Sequence, residues 1–314
     1  MNVNVAKALF GTDARGPRAT MRQRAIRQSP TGFAAMWLLS GLLATPVADA
    51  REEGASASSL GVSDAVRSSA VGPAGLTFNP ATMHQLMQYA IETGYEYSQP
   101  IDGHTFSVAV VDSATNAAIA MGVGYSYIYG KEIGSDVERT GHNLRFGAAS
   151  GWRGDNWSVH AGASGRYLSL SVGSDGAAEG ITMDAGLLVV VGGTFRFAVV
   201  GHHLIDTGLA ETPRQLGFGT SVYLNSFVAS FDAVLDFEAQ DETKAQYRVG
   251  LEYAVMDRLP IRLGYESDRL IDSHAISAGF GYVTRVIGVD FGFRQNLIDT
   301  SDNVFSLNIR GFIP

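Results

Sequence analysis

The chain has 314 residues, 46% of them hydrophobic and 17% charged, with 37 glycines, no cysteine and a formal net charge of -8. Without cysteine, disulfides contribute nothing to its stability. Its acidic balance excludes nucleic acid as a natural partner, because a phosphate backbone requires a basic face.

Residues 1–50 read as a secretory signal peptide. Lys7, Arg15, Arg18, Arg22, Arg24 and Arg27 precede an apolar run from Gly32 to Val47, and Ala48-Asp49-Ala50 has the small-x-small form of a cleavage site. The run contains Ser40, Gly41 and Pro46 and is short for a stable span, so removal is expected rather than anchoring, with Met21 as an alternative start. Taking the leader's six basic and two acidic residues from the chain's 23 and 31 leaves 17 and 29, a mature charge of -12.

Residues 51–86 form an element of their own. Small residues dominate it, and two turns punctuate it, Gly72-Pro73 and Asn79-Pro80-Ala81. Proline fixes φ and stiffens both turns, and Asn-Pro is a common turn starter.

From residue 87 to 314 the chain alternates apolar and polar residues in about fourteen short segments. The predicted strands are 87–97, 104–112, 117–129, 140–152, 157–171, 180–191, 195–205, 214–224, 227–238, 244–255, 260–269, 274–284, 287–297 and 303–313. Ala245, Tyr247, Val249, Leu251 and Tyr253, for example, interleave with Lys244, Gln246, Arg248, Gly250 and Glu252. A soluble sandwich alternates too, since its strands bury one face. The connections and the aromatic residues separate the two. Even-to-odd links such as Asn225-Ser226 are tight, whereas odd-to-even links such as Gly130 to Arg139 and Asp206 to Pro213 are longer or more acidic. Trp152, Trp157, Phe195, Phe227 and Tyr282 fall at the short-turn end, and Tyr95, Tyr97, Tyr125, Tyr127, Tyr129, Tyr167, Phe237 and Tyr265 at the other. Short periplasmic turns, longer outer loops and two aromatic girdles are the pattern of a transmembrane antiparallel β-barrel. The expected location is the outer membrane, reached through the cleaved leader, with outer-membrane lipid and lipopolysaccharide as surroundings.

The small-residue stretch ending in Asn79-Pro80-Ala81 just ahead of the first strand resembles the N-terminal hatch of the FadL family of hydrophobic-compound transporters. It is similar also to the PorV-type barrels of the same superfamily, and Gly201-His202-His203-Leu204-Ile205-Asp206-Thr207-Gly208 resembles a recurring segment of such proteins. The resemblance implies a plug over residues 51–86, with Gly72, Pro73, Asn79, Pro80 and Ala81 as its hatch residues, ahead of a fourteen-stranded barrel. It implies either passive transport of a hydrophobic or amphipathic small molecule, or a closed scaffold component of an envelope secretion or motility machine. The first reading calls for a fatty-acid-like ligand and an apolar pocket in the upper barrel, and the second for an envelope protein partner.

Two inward-facing sets bear on this choice. The inward residues of the third strand, Ala118, Ala120, Gly122, Gly124 and Ser126, are small enough to seat a chain segment, and a sideways gap for solute exit is expected beside Gly122 and Gly124. Charges of both signs point inward elsewhere: Arg145, Arg166, Arg196, Arg248, Arg262, Arg294 and Arg310 against Asp232, Asp236, Glu252, Glu266 and Asp290. They read as a mutually neutralising network or as an arginine ladder guiding an anionic solute such as a fatty carboxylate.

An enzyme is not expected. Ser158, His160 and Ser164 share an inward face, but no Gly-x-Ser-x-Gly elbow supports a nucleophile. His202 and His203 should point to opposite faces of a strand, which argues against a shared metal, and no cofactor is called for. The acidic outer residues, Asp136, Glu138, Asp175, Glu179, Asp241, Glu242, Asp299 and Asp302, suit solvated repulsion or loose cation bridging to lipopolysaccharide.

Overall fold

A computed structural model describes residues 56–132, 135–173, 177–238, 243–269 and 271–313. The signal peptide, and Asp175, Asp241 and Glu242 among the loop acids, lie outside the described residues.

Period-2 patterning yields fourteen strands: β1 Tyr89–Ser98, β2 Gly103–Asp112, β3 Ile119–Lys131, β4 Glu138–Arg153, β5 Trp157–Val172, β6 Ala178–Val191 and β7 Phe195–His202, then β8 Gln215–Leu224, β9 Phe227–Asp236, β10 Lys244–Val255, β11 Leu259–Asp268, β12 Ser273–Val283, β13 Ile287–Asn296 and β14 Asn303–Ile313. Each pairs antiparallel with its sequence neighbours, and β1 pairs with β14 from Tyr89 opposite Ile313 to Ser98 opposite Val304, which closes the barrel. Closure gives every strand a paired neighbour on both sides, so no strand is left as a free edge, the condition for a sheet in lipid. The links after even strands are tight turns, such as Gly192-Gly193, both at positive φ, and Asn225-Ser226 with Asn225 at φ 53. Backbones of that hand match the twist of the strands they join.

The side-chain distribution is inside out relative to a soluble domain. Val249, Leu251, Tyr253, Ile261, Leu263 and Tyr265 are exposed, while Gln246, Arg248, Arg262 and Glu266 are buried. Trp152, Trp157, Phe195 and Tyr282 ring the short-turn end, and Tyr95, Tyr125, Tyr129, Phe237 and Tyr265 the long-loop end, all exposed. An apolar exterior bounded by amphipathic rings is the surface of a membrane-spanning barrel.

Residues 56–84 run inside the barrel. They form α1 Ala57–Leu60, α2 Pro73–Phe78 and a 3-10 helix Pro80–His84, and nearly all of them are buried. Helix α1 lies against β12, β13 and β14, α2 against β1 to β4, and the 3-10 helix against β3 to β6. No helix is long and apolar enough to cross a membrane among the described residues.

The structure departs from the sequence expectation at β7. The strand stops at His202 rather than continuing to 205, because His203 turns to φ 53. The Leu204 amide then donates to the Met183 carbonyl at 2.8 Å and the Thr182 hydroxyl to that of Ile205 at 2.8 Å, so the 203–214 loop, not a strand, lies against the end of β6. Ladder pairing of β6 with β7 therefore covers only Ala185 to Val191. The expected gap beside Gly122 and Gly124 is not found in the ladder. From His104 to Asp112, β2 pairs with β3 without a break, and all of β3 from Ile119 to Lys131 pairs with β4.

Candidate functional site

Both halves of the interior segment are seated by shape against strand glycines, and the first half is held by polar bonds as well. Asn79 connects the two. It is fully buried in extended conformation, and its Oδ1 accepts the Ala81 amide at 3.1 Å, capping the 3-10 helix in which Pro80 takes the first position. Its Nδ2 donates to the Arg67 carbonyl at 2.9 Å and to Leu187 of β6 at 3.4 Å. One amide thus caps the helix, ties the two halves of the segment together and reaches the wall.

The wall is cut to receive it. Gly162 of β5 and Gly186 of β6 face each other in register. A Cβ on Gly186 would lie 2.0 Å from Asn79 Oδ1, and one on Gly162 would lie 2.5 Å from the Pro80 carbonyl carbon. On β3, a Cβ on Gly122 would meet Met83 Sδ at 3.1 Å and one on Gly124 would meet Leu76 Cδ2 at 3.2 Å, so these two glycines back the segment. Leu76 and Met83 join Val111, Ala120 and Ala149 in one apolar cluster there. Gly72 adopts φ 59 to start α2, with Pro73 at the first helical position.

The other half is held by hydrogen bonds. The Ala57 amide donates to Asn308 Oδ1 at 2.7 Å, Ser63 Oγ meets Ser277 Oγ at 2.9 Å, and Ser68 Oγ meets Ser221 Oγ at 3.0 Å. Asp232 Oδ2 accepts from both the Arg67 amide at 2.9 Å and its Nη1 at 3.3 Å, with both side chains at 1% exposure or less. An ion pair so deep persists because each charge needs the other.

Of the twelve charged residues that parity assigns to the lumen, nine are buried and Arg196, Glu252 and Arg310 are half-buried. Arg145 lies 3.8 Å from Asp184 and donates to the Thr77 carbonyl at 3.4 Å. Arg166 donates to Asn143 Oδ1 at 3.1 Å. Arg248 pairs with Glu266 at 3.0 Å, and Arg294 with Glu266 at 3.3 Å and Asp302 at 3.4 Å. Glu252 takes Arg262 at 2.5 Å, and Asp290 takes Arg262 at 2.7 Å and also Arg310. Arg196 stands apart: its carbon Cζ sits 3.6 Å over the Tyr223 ring and its Nη1 donates to Gln85 Oε1 at 2.5 Å. Asp302, read from sequence as a loop acid, reaches inward to Arg294 and Asn296.

The histidines are rearranged by the end of β7. His202 and His203 do not diverge, because the positive φ of His203 buries both rings. Asp184 lies between them, 3.5 Å from His202 Nδ1 and accepting the His203 amide at 2.8 Å. His203 Nδ1 is 2.8 Å from the Pro213 carbonyl, which can only accept, so Nε2 is the acceptor for Arg166 Nη1 at 3.0 Å. No group of three or more metal-capable side chains occurs among the described residues. At the short-turn end, His84 Nε2 contacts the Ala117 carbonyl at 3.0 Å, His84 Nδ1 meets His160 Nδ1 at 3.3 Å, and His160 Nε2 meets Ser158 Oγ at 3.0 Å. A carbonyl acceptor fixes the direction, so the proton on each ring and the Ser158 hydroxyl all point toward Ala117. The chain links the 3-10 helix to β5 and to the β2–β3 turn.

A cavity of about 400 Å3 lies between the segment and the strands β7 to β14, on the side of the short turns. Val62, Val66, Ala70 and Ala74 form its apolar roof. The upper barrel, where an apolar pocket was expected, is packed instead: Ile128, Leu168, Leu170, His202 and Thr212 are all buried there.

No protein-family model matches the chain, and no curated protein sequence matches it. Solved structures do. The CymD monoaromatic hydrocarbon channel superposes with a TM-score of 0.63 at 15% identity, covering 84% of this chain and 98% of that one. The Ralstonia pickettii toluene transporter TbuX gives 0.56 at 15%, covering 80% and 96%. A Pseudomonas aeruginosa FadL homologue gives 0.60 at 13%, covering 82% and 98%. The fold is that of the FadL-type outer-membrane barrels.

Proposed function

We propose that this chain is an outer-membrane barrel of the FadL type that lets a hydrophobic or amphipathic small molecule pass, with residues 56–86 as a plug that must shift. The observation that carries this reading is the seat of Asn79-Pro80-Ala81. An occluding segment fitted against bare backbone at Gly162 and Gly186 is held by van der Waals fit, a handful of hydrogen bonds and one buried ion pair, which a modest displacement breaks together. The fold shared with a monoaromatic hydrocarbon channel and a toluene transporter supports an apolar cargo, on analogy of fold alone. The barrel's apolar exterior supports outer-membrane lipid and lipopolysaccharide as its surroundings. Its test is uptake of a radiolabelled monoaromatic hydrocarbon by intact Gram-negative cells producing the wild-type chain or Asn79→Ala. Uptake above empty cells that Asn79→Ala changes supports the reading, and rates equal in all three strains refute it.

The packed upper lumen and its paired charges favour a second reading, a closed envelope scaffold bound to another protein. A stoichiometric protein companion in native mass spectrometry, with no uptake, would select it.

A further inference from the structure

We infer that the cavity on the short-turn side of the segment is a binding site for an organic anion with an apolar body, and that Arg196 receives its charged group. The inference goes beyond passage through the barrel, since a site open to the short-turn side can fill whether or not anything crosses.

The argument starts from charge. Three arginines line the cavity, and two of them are neutralised: Arg262 by Glu252 and Asp290, and Arg310 by Asp290 with Glu92 at 3.8 Å. Arg196 has no ion pair among the described residues, and its Nε is buried without a hydrogen-bond partner. Its guanidinium carbon sits 3.6 Å over the Tyr223 ring, whose hydroxyl donates to the Ser69 carbonyl at 3.3 Å, and one Nη1 hydrogen is committed to Gln85. A stacked guanidinium with its orientation fixed and donors unspent is preorganised for a carboxylate or similar planar anion. Leaving such a group without a counter-charge is costly, and a bound anion removes that cost.

The body of the ligand is set by the roof. Val62, Val66, Ala70 and Ala74 offer a contiguous apolar face, continued on the wall by Val228, Ala254 and Val283. At about 400 Å3 the cavity falls in the range of small-molecule sites, which are mainly apolar with a few fixed polar groups. The residues of the segment that remain half-buried include Ser58, Ser69, Val71 and Ala74, all on this cavity, so the ligand would cover surface the fold leaves open.

The test is calorimetric titration of the mature barrel in non-ionic detergent with two matched probes, 4-phenylbutyrate and its neutral amide. A charge-assisted pair predicts that the carboxylate binds at least about tenfold more tightly. Arg196→Gln should abolish that preference, and Ala254→Phe, which fills the cavity, should weaken both probes. Arg196→Lys, which keeps charge and loses the fork, should reduce the preference and serves if the Gln variant does not fold. Equal affinities for the two probes in the wild type, or a preference that survives Arg196→Gln or Arg196→Lys undiminished, overturns the inference. Binding is read without transport, so a null result here leaves the uptake test standing, and absent uptake leaves this site standing.

Discussion

Replacing Gly186 by alanine should unseat the interior segment without unfolding the barrel. The new Cβ would lie 2.0 Å from Asn79 Oδ1, which cannot stay where it is. If the side chain yields, the cap on Ala81 and the bonds to Arg67 and Leu187 go with it. A lost cap costs about 1 kcal/mol and overpacking about 1–3 kcal/mol. The sum, about 2–4 kcal/mol, raises the open fraction of the segment by roughly 30-fold to nearly 1000-fold. Hydrogen exchange read by mass spectrometry on peptides from 56–86 should accelerate accordingly, with strand peptides unchanged. Because the obstacle is the Asn79 side chain, Gly186→Ala should cost less in an Asn79→Ala background, by at least about 1 kcal/mol of coupling. Wild-type protection in Gly186→Ala, or strictly additive effects in the double variant, would refute this account of the seat.

Other consequences follow from single contacts. Asp232→Ala removes the buried carboxylate that takes two bonds from Arg67 and should destabilise the segment by about 1.5–3 kcal/mol in the same exchange measurement, whereas the paired change Arg67→Met with Asp232→Leu should cost less. Leu263 is 59% exposed near the middle of β11, so Leu263→Arg should lower folding stability in vesicles by about 2–4 kcal/mol; a change below about 0.5 kcal/mol would mean that this face does not meet lipid. Outside the spanning strands, bonds from the Arg214 amide and side chain hold the Glu238 carboxyl below its ordinary range. A lowered pKa contributes order above the unfolded value and loses it as pH falls through the folded one. Exchange in the 203–214 loop should therefore rise on acidification, and Glu238→Gln should reproduce the rise at neutral pH.

The barrel was legible because parity is a one-bit code that fourteen strands repeat. Lys244 to Val255 shows it: one slip would have put Arg248 and Glu252 in lipid. The β7 boundary was not legible, since nothing local in His202-His203 shows that the second residue turns to positive φ. Tertiary bonds from Thr182 and Leu204 decide it. The hatch residues stood out through their prolines, whereas Gly162 and Gly186 passed as ordinary strand glycines. Their signal was available in register: two inward glycines directly opposite each other mark a place where another backbone approaches. Arg67 was missed because the pairing of a short irregular segment with a distant strand leaves no periodic trace.

The central claim is that the interior segment controls passage, and locking it tests that most directly. The chain has no cysteine, and Ser68 Oγ of the segment lies 3.0 Å from Ser221 Oγ of β8, so Ser68→Cys with Ser221→Cys would introduce a unique reducible tether between segment and wall. Flux of a hydrophobic probe should be measured across lipopolysaccharide-containing asymmetric bilayers carrying this variant, oxidised and then reduced. The account predicts flux that stops on oxidation and returns on reduction. Equal flux in the two states, or none in either, would contradict it.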